Sequence, residues 1–157
     1  MSSQLLTNLQ DIIHKNYRIA ADTFVLLVYD EQCVLATRLA AAYGTAITSF
    51  PHKTINFDQY NEEQILAEFR QLPPHSLVIL VQSFSFRMTK HRLRADLFQQ
   101  GHQVIEHARL SFSSEEQMEN YISSLHYDTP YYVQMSNKIS QLLQKKTTIC
   151  YTSASHT

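Results

Sequence analysis

Two uninterrupted apolar runs constrain this chain more than anything else in it: Thr23-Phe24-Val25-Leu26-Leu27-Val28-Tyr29 and Leu77-Val78-Ile79-Leu80-Val81. A strand with one wet face alternates apolar and polar residues. A strand without polar interruption is covered on both faces, and such sheets are built from parallel strands with helical crossovers. The intervening segments supply the helices. Leu5, Leu6, Leu9, Ile12 and Ile13 recur at helical spacing and predict an N-terminal helix over an edge or face of the core. Asp30 is placed to cap a helix running to Tyr43, whose alanines let it lie close on the sheet. Asn61 caps a helix with Ile65, Leu66, Phe69 and Leu72 on one stripe, and Pro73-Pro74 stops it. A further helix ends at Gly101. Ser113-Ser114-Glu115-Glu116 reads as a capping box ahead of Met118, Tyr121, Ile122 and Leu125. Thr129-Pro130 opens the last helix, with Tyr132, Met135, Ile139, Leu142 and Leu143 as its stripe and Lys145 and Lys146 at its C-terminal dipole.

Three shorter strands are expected: an edge strand over residues 46–50, one over 102–107, and a β-branched one over 147–151. Five strands alternating with helices predict an α/β fold. It is a three-layer, doubly wound, mainly parallel sheet of flavodoxin- or Rossmann-like type. Strands one and three are the most apolar and so the most central, which favours the order 2-1-3-4-5. A single α/β domain spans residues 1–157, with the N-terminal helix in 1–20 and the sheet and its covering helices in 21–157. The chain stops just past a strand, at Ser153-Ala154-Ser155-His156-Thr157; this reads either as a short polar tail or as the break before a second domain.

Gly44 and Gly101 are the only glycines, and both sit where a helix hands over to a strand, at left-handed cap positions. None remains for a phosphate-cradling loop, so a Walker loop and a dinucleotide fingerprint are excluded. The net charge of -1 gives no global attraction to nucleic acid or to an anionic membrane. No apolar run approaches ~18 residues, so no membrane span is expected. The start, Met1-Ser2-Ser3-Gln4, carries no basic region of a secretory signal, and Cys33 and Cys150 form no metal-type pair. A cytoplasmic protein is the expectation.

In an open α/β sheet, ligands bind outside the carboxyl ends of the strands, where the strand order switches. That crevice falls between the loop after Tyr29, with Asp30, Glu31 and Gln32, and the loop after Gln82, with Ser83, Phe84, Ser85, Phe86 and Arg87. Arg87, Lys90, His91 and Arg94 share one helical arc and form the only basic cluster. Together, Asp30, Ser83, Ser85, Arg87, Lys90, His91 and Arg94 make a candidate ligand or anion crevice. The alternative is that Asp30 and Ser85 cap helices, the phenylalanines pack, and the basic arc is a solvated face. Glu106 and His107 are a metal or acid–base pair only if the strand has ended, since adjacent strand residues point to opposite faces. Cys33 reads as a small packed residue in a first helical turn. No catalytic, metal or cofactor residue is identified.

The segment 83–128 carries Ser85-Phe86-Arg87, His91-Arg92-Leu93-Arg94, Leu97-Phe98, Gly101, Val104-Ile105-Glu106-His107 and Leu110. It closes with Tyr121-Ile122-Ser123-Ser124-Leu125-His126-Tyr127-Asp128, ahead of Tyr131-Tyr132; Thr147-Thr148-Ile149-Cys150-Tyr151-Thr152-Ser153 follows later. With these features, most of the chain from about Asp22 resembles the N-terminal domain of the leucyl aminopeptidase or aminopeptidase T-like metallopeptidases. The resemblance implies an α/β domain joined to a C-terminal domain that holds paired divalent metal ions of zinc, cobalt or manganese type. The ligands belong to that second domain, so none is carried onto this chain. What it implies here is a non-catalytic domain that shapes substrate access or supports a homodimer, with its own C-terminal peptidase domain as partner. Two further readings stand beside it. One is a small-molecule or anion-binding module in the crevice. The other is an interaction scaffold using Tyr127, Tyr131 and Tyr132, unless those rings pack inside the domain.

Overall fold

The computed structural model describes residues 3–86, 93–112 and 114–144. The chain divides into two compact units, with the boundary between Tyr127 and Asp128.

In the first unit, β1 (Val25–Tyr29), β2 (His52–Asn56), β3 (Leu77–Val81) and β4 (Gln103–His107) form a parallel sheet in the order β2-β1-β3-β4. Val25 lies opposite both His52 and Leu77, and Leu77 lies opposite Gln103. The two apolar runs are therefore the central strands. Val25, Leu26, Leu27, Val28 and all of β3 are at most 1% exposed. Strand alternation then builds two cores. On one face Val25, Leu27, Ile79, Val81 and Ile105 meet α1 (Ser3–Asp11), α2 (Val34–Ala46) and α5 (Glu115–Ser124). On the other, Leu26, Val28, Val78, Leu80 and Val104 meet α3 (Glu62–Arg70) and α4 (Leu93–Gln99).

The expected N-terminal helix is α1, prolonged by a π-helical turn over Ile12–Tyr17. Leu5, Leu9 and Ile13 are its buried face, each contributing about 1.5–3 kcal/mol of apolar burial. Ala36, Ala40 and Ala42 bring α2 close to the sheet, as their size predicts. Asn61 caps α3 in a full capping box with Gln64.

Several sequence expectations are corrected. Residues 46–50 are not a strand. Helix α2 runs through Gly44 to Ala46, and Ile47 and Phe50 are buried in the turn after it. Their apolar character serves the first core. The strand is His52–Asn56, whose His52, Lys53 and Thr54 are exposed; pairing with β1 makes it a strand. Gly44 is helical, whereas Gly101 does hold the left-handed position, at φ 82. There Gly101 N–H reaches Phe98 O and His102 N–H reaches Leu97 O, both at 3.0 Å, closing α4. Asp30 does not cap α2. Cys33 is the N-cap, its Sγ accepting the Ala36 N–H at 3.4 Å. The capping box of α5 is formed by Ser114 with Gln117; Ser113 lies outside the described residues. The expected fifth strand over 147–151, Lys145, Lys146 and the polar tail lie outside the described residues.

The second unit contains α6 (Thr129–Gln144), opening at Thr129-Pro130 as expected. Its Tyr132, Met135, Ile139, Leu142 and Leu143 are exposed, and the Tyr131 and Tyr132 rings meet edge-on at 5.4 Å. No described helix is long and apolar enough to cross a membrane.

Candidate functional site

The loops after β1 and β3 meet at the carboxyl end of the sheet, where the order switches. Asp30, at 2% exposed, accepts the Ser83 N–H with both carboxylate oxygens, at 3.1 and 2.9 Å, and the Gln32 N–H at 3.3 Å. Its own N–H continues the β1–β3 ladder to Val81 O at 3.2 Å. Beyond β3 the pairing also runs on. Gln82 N–H donates to His107 O, Leu110 N–H to Gln82 O, and Ser111 N–H to Ser83 O. Asp30 thus ties the loop after β1 to Ser83 after β3, and backbone bonds tie the loop after β3 to the segment after β4. The Ser83 and Ser111 hydroxyls lie buried without a partner among the described residues.

A cleft opens on the α3/α4 face. Leu80, Gln82, Ser85, Phe86, Leu93, Arg94, Ala95 and Glu106 line a cleft of about 400 Å³. Glu106 stands beside Leu80 in the β3–β4 register. Its carboxylate accepts Arg94 Nη1 at 3.1 Å on one oxygen and Gln82 Nε2 at 3.1 Å on the other. Gln82 Oε1 in turn accepts the Phe86 N–H at 2.7 Å, which fixes both ends of that amide. The Phe86 ring stacks on Phe57 at 4.0 Å and 7°. The Arg94 side chain is 62% exposed and that of Glu106 26%.

The expected crevice residues separate into two places. Asp30 and Ser83 form the buried clamp; Ser85 and Arg94 line the cleft. Arg87, Lys90 and His91 lie outside the described residues. Ser85 caps no described helix. Of the phenylalanines, Phe86 packs while Phe84 is 51% exposed.

Glu106 and His107 do point to opposite faces. His107 is buried in the first core between two tyrosines, with Tyr43 Oη 2.7 Å from Nε2 and Tyr121 Oη 2.6 Å from Nδ1. Tyr43 is fully buried, so we assign its O–H as donor to a bare Nε2, leaving Nδ1–H to donate to Tyr121. Burial lowers the His107 pKa to about 4 and pushes that of Tyr121 up to about 12. Tyr43 is raised well above its ordinary value by burial and by the neighbouring Tyr121 and Tyr17. Burial, with His75 nearby, lowers His102. This relay was unsignalled by any motif. The available signal was phase alone: Tyr43 lies in the alanine run, His107 shares the face of Ile105, and Tyr121 sits in the α5 stripe.

No group of three or more His, Cys, Asp or Glu among the described residues is placed to hold a metal ion. Comparison of the chain with protein-family models, with curated proteins and with solved structures returned no match.

Proposed function

We propose that this chain is a non-catalytic α/β domain of a metallo-aminopeptidase-like protein, shaping substrate access or a dimer contact. The Asp30 clamp is the observation that supports this reading. At the place where an open α/β sheet takes its ligand, both oxygens of the carboxylate hold a backbone amide. His107 is tied in the same way, by both ring nitrogens, inside a core. A general acid or base needs reach to a substrate proton, and groups bound like these hold the fold. In this reading the zinc-, cobalt- or manganese-type ions belong to a C-terminal peptidase domain, which is the partner, and the protein works in the cytoplasm. The finer fold belongs to the same proposal: residues 147–151 add a fifth strand, giving the flavodoxin-like order 2-1-3-4-5. The observed order β2-β1-β3-β4 supports it. The test is an assay of the purified chain on aminoacyl anilides with added zinc, cobalt or manganese. No turnover above a protein-free blank is expected; metal-dependent turnover would overturn the reading.

A second reading, a small-molecule-binding module, is favoured by the cleft that joins Ser85 and Arg94 to Gln82 and Glu106. Amide chemical-shift mapping with small anions and zwitterions tests it. Silence at Gln82, Phe86 and Leu93 for all of them would end it.

A further inference from the structure

The cleft beside β3 and β4 sets one cation and one anion side by side, with Phe86 and Leu93 next to them. We propose that it binds a free α-amino acid with an apolar side chain. Arg94 takes the carboxylate, Glu106 takes the ammonium, and Phe86 and Leu93 flank the place of the side chain. This rests on the second reading above and names its ligand class.

Three observations carry the assignment. The first is charge. Arg94 Nη1 and Glu106 Oε2 are 3.1 Å apart, and in an α-amino acid the two charged groups are joined through a single carbon, so a ligand of that spacing can lie along the pair. A guanidinium has five donors and a carboxylate about four acceptor sites, so both keep capacity beyond the bond they share. An anion alone would meet the Glu106 carboxylate, and a cation alone would meet Arg94. A zwitterion answers both.

The second is preorganisation. Glu106 stands on a strand, with Gln82 Nε2 donating to its second oxygen at 3.1 Å. The Gln82 amide is itself fixed by the Phe86 N–H at 2.7 Å. Phe86 is held flat against Phe57 at 4.0 Å. Sites on rigid elements with a supported anchor lose less on ligand ordering. The third is size and place. A volume of about 400 Å³ lies in the range of small-ligand sites, and the cleft opens near the carboxyl ends of β3 and β4. The half-buried Phe86 ring and the edge of Leu93 give a reason to prefer leucine over glycine.

The experiment is amide chemical-shift mapping and calorimetry on the full chain. L-leucine, leucinamide, N-acetyl-leucine, glycine and inorganic phosphate are each titrated to about 10 mM. Leucine is expected to move the Gln82, Phe86, Leu93 and Glu106 amides and to saturate. Leucinamide and N-acetyl-leucine, each lacking one charge, should bind at least roughly tenfold more weakly. Arg94→Gln should erase the preference for leucine over leucinamide, and Glu106→Gln the preference over N-acetyl-leucine. Thermal melts check that both variants fold, and the ligand series decides the matter even if one does not. Equal binding of leucine and its capped forms overturns the proposal. So does phosphate moving these amides while leucine does not, an outcome that leaves the binding-module reading standing. No shift with any probe overturns both.

Discussion

Asp30 and Ser83 are joined by both oxygens of one carboxylate to one backbone N–H, at 3.1 and 2.9 Å, with Asp30 2% and Ser83 0% exposed. The bond ties the loop after β1 to the loop after β3. Asp30→Ala leaves a buried amide without its charged acceptor and should lower stability by about 1.5–3 kcal/mol. Asp30→Asn keeps one oxygen and should lose less. Urea unfolding of the three proteins measures this; an alanine variant within about 0.5 kcal/mol of the parent would show the clamp to be idle.

His107 makes stability depend on pH. Its folded pKa, about 4 through burial, lies below the ordinary value of 6.5, so the unfolded chain takes up the proton first. The contribution is full above pH ~6.5 and falls as pH drops toward ~4. Between pH 7 and pH 5 the loss through this group is on the order of 2 kcal/mol. Denaturant melts of the parent and of His107→Gln at both values isolate it. The variant starts less stable and should show the shallower pH slope. Parallel slopes would mean that His107 is not the titrating group.

The two glycines should respond to alanine with opposite signs. At Gly44, within α2, an added Cβ meets nothing within 4 Å, so Gly44→Ala should stabilise by about 0.5–1 kcal/mol. At Gly101 the added Cβ finds only an ordinary contact with His75 at 3.8 Å, but φ is 82. Gly101→Ala should therefore destabilise by about 1–2 kcal/mol from backbone strain alone. Melting temperatures shifted in the same direction would refute the helical placement of Gly44 or the cap at Gly101.

Arg94→Ala is expected to leave stability within about 0.5 kcal/mol of the parent, because its partner bond to Glu106 is largely in water. A larger loss that disappears in molar salt would instead make the pair a structural tie.

The central strands were legible because burial on both faces removes every polar residue from them. The β2 strand was not, since three of its five residues are exposed and only hydrogen bonds to β1, distant in sequence, make it extended. The buried Ile47 and Phe50 just before it carried the stronger apolar signal and belong to a turn. Asn61 and Pro130 spoke plainly because caps and helix starts are local chemistry. Asp30 misled for the same reason: a local cap was the visible option, while its true partner lies 53 residues away. The approach of Tyr43 to His107 likewise spans 64 residues, and nothing short of the folded sheet brings them together.

The last two residues of β4 act as a frame check on the whole strand. Glu106 answers to Arg94 on one side of the sheet and His107 to two tyrosines on the other. A forward slip of one residue would push a carboxylate between Tyr43 and Tyr121 and set Ile105 against the guanidinium. An uncompensated ion in so dry a place costs several kcal/mol, far more than the hydrogen bonds of a misaligned ladder recover. Neighbouring residues with incompatible addresses thus reject the wrong alignment at the strand's very end, where the sheet would otherwise be easiest to misthread.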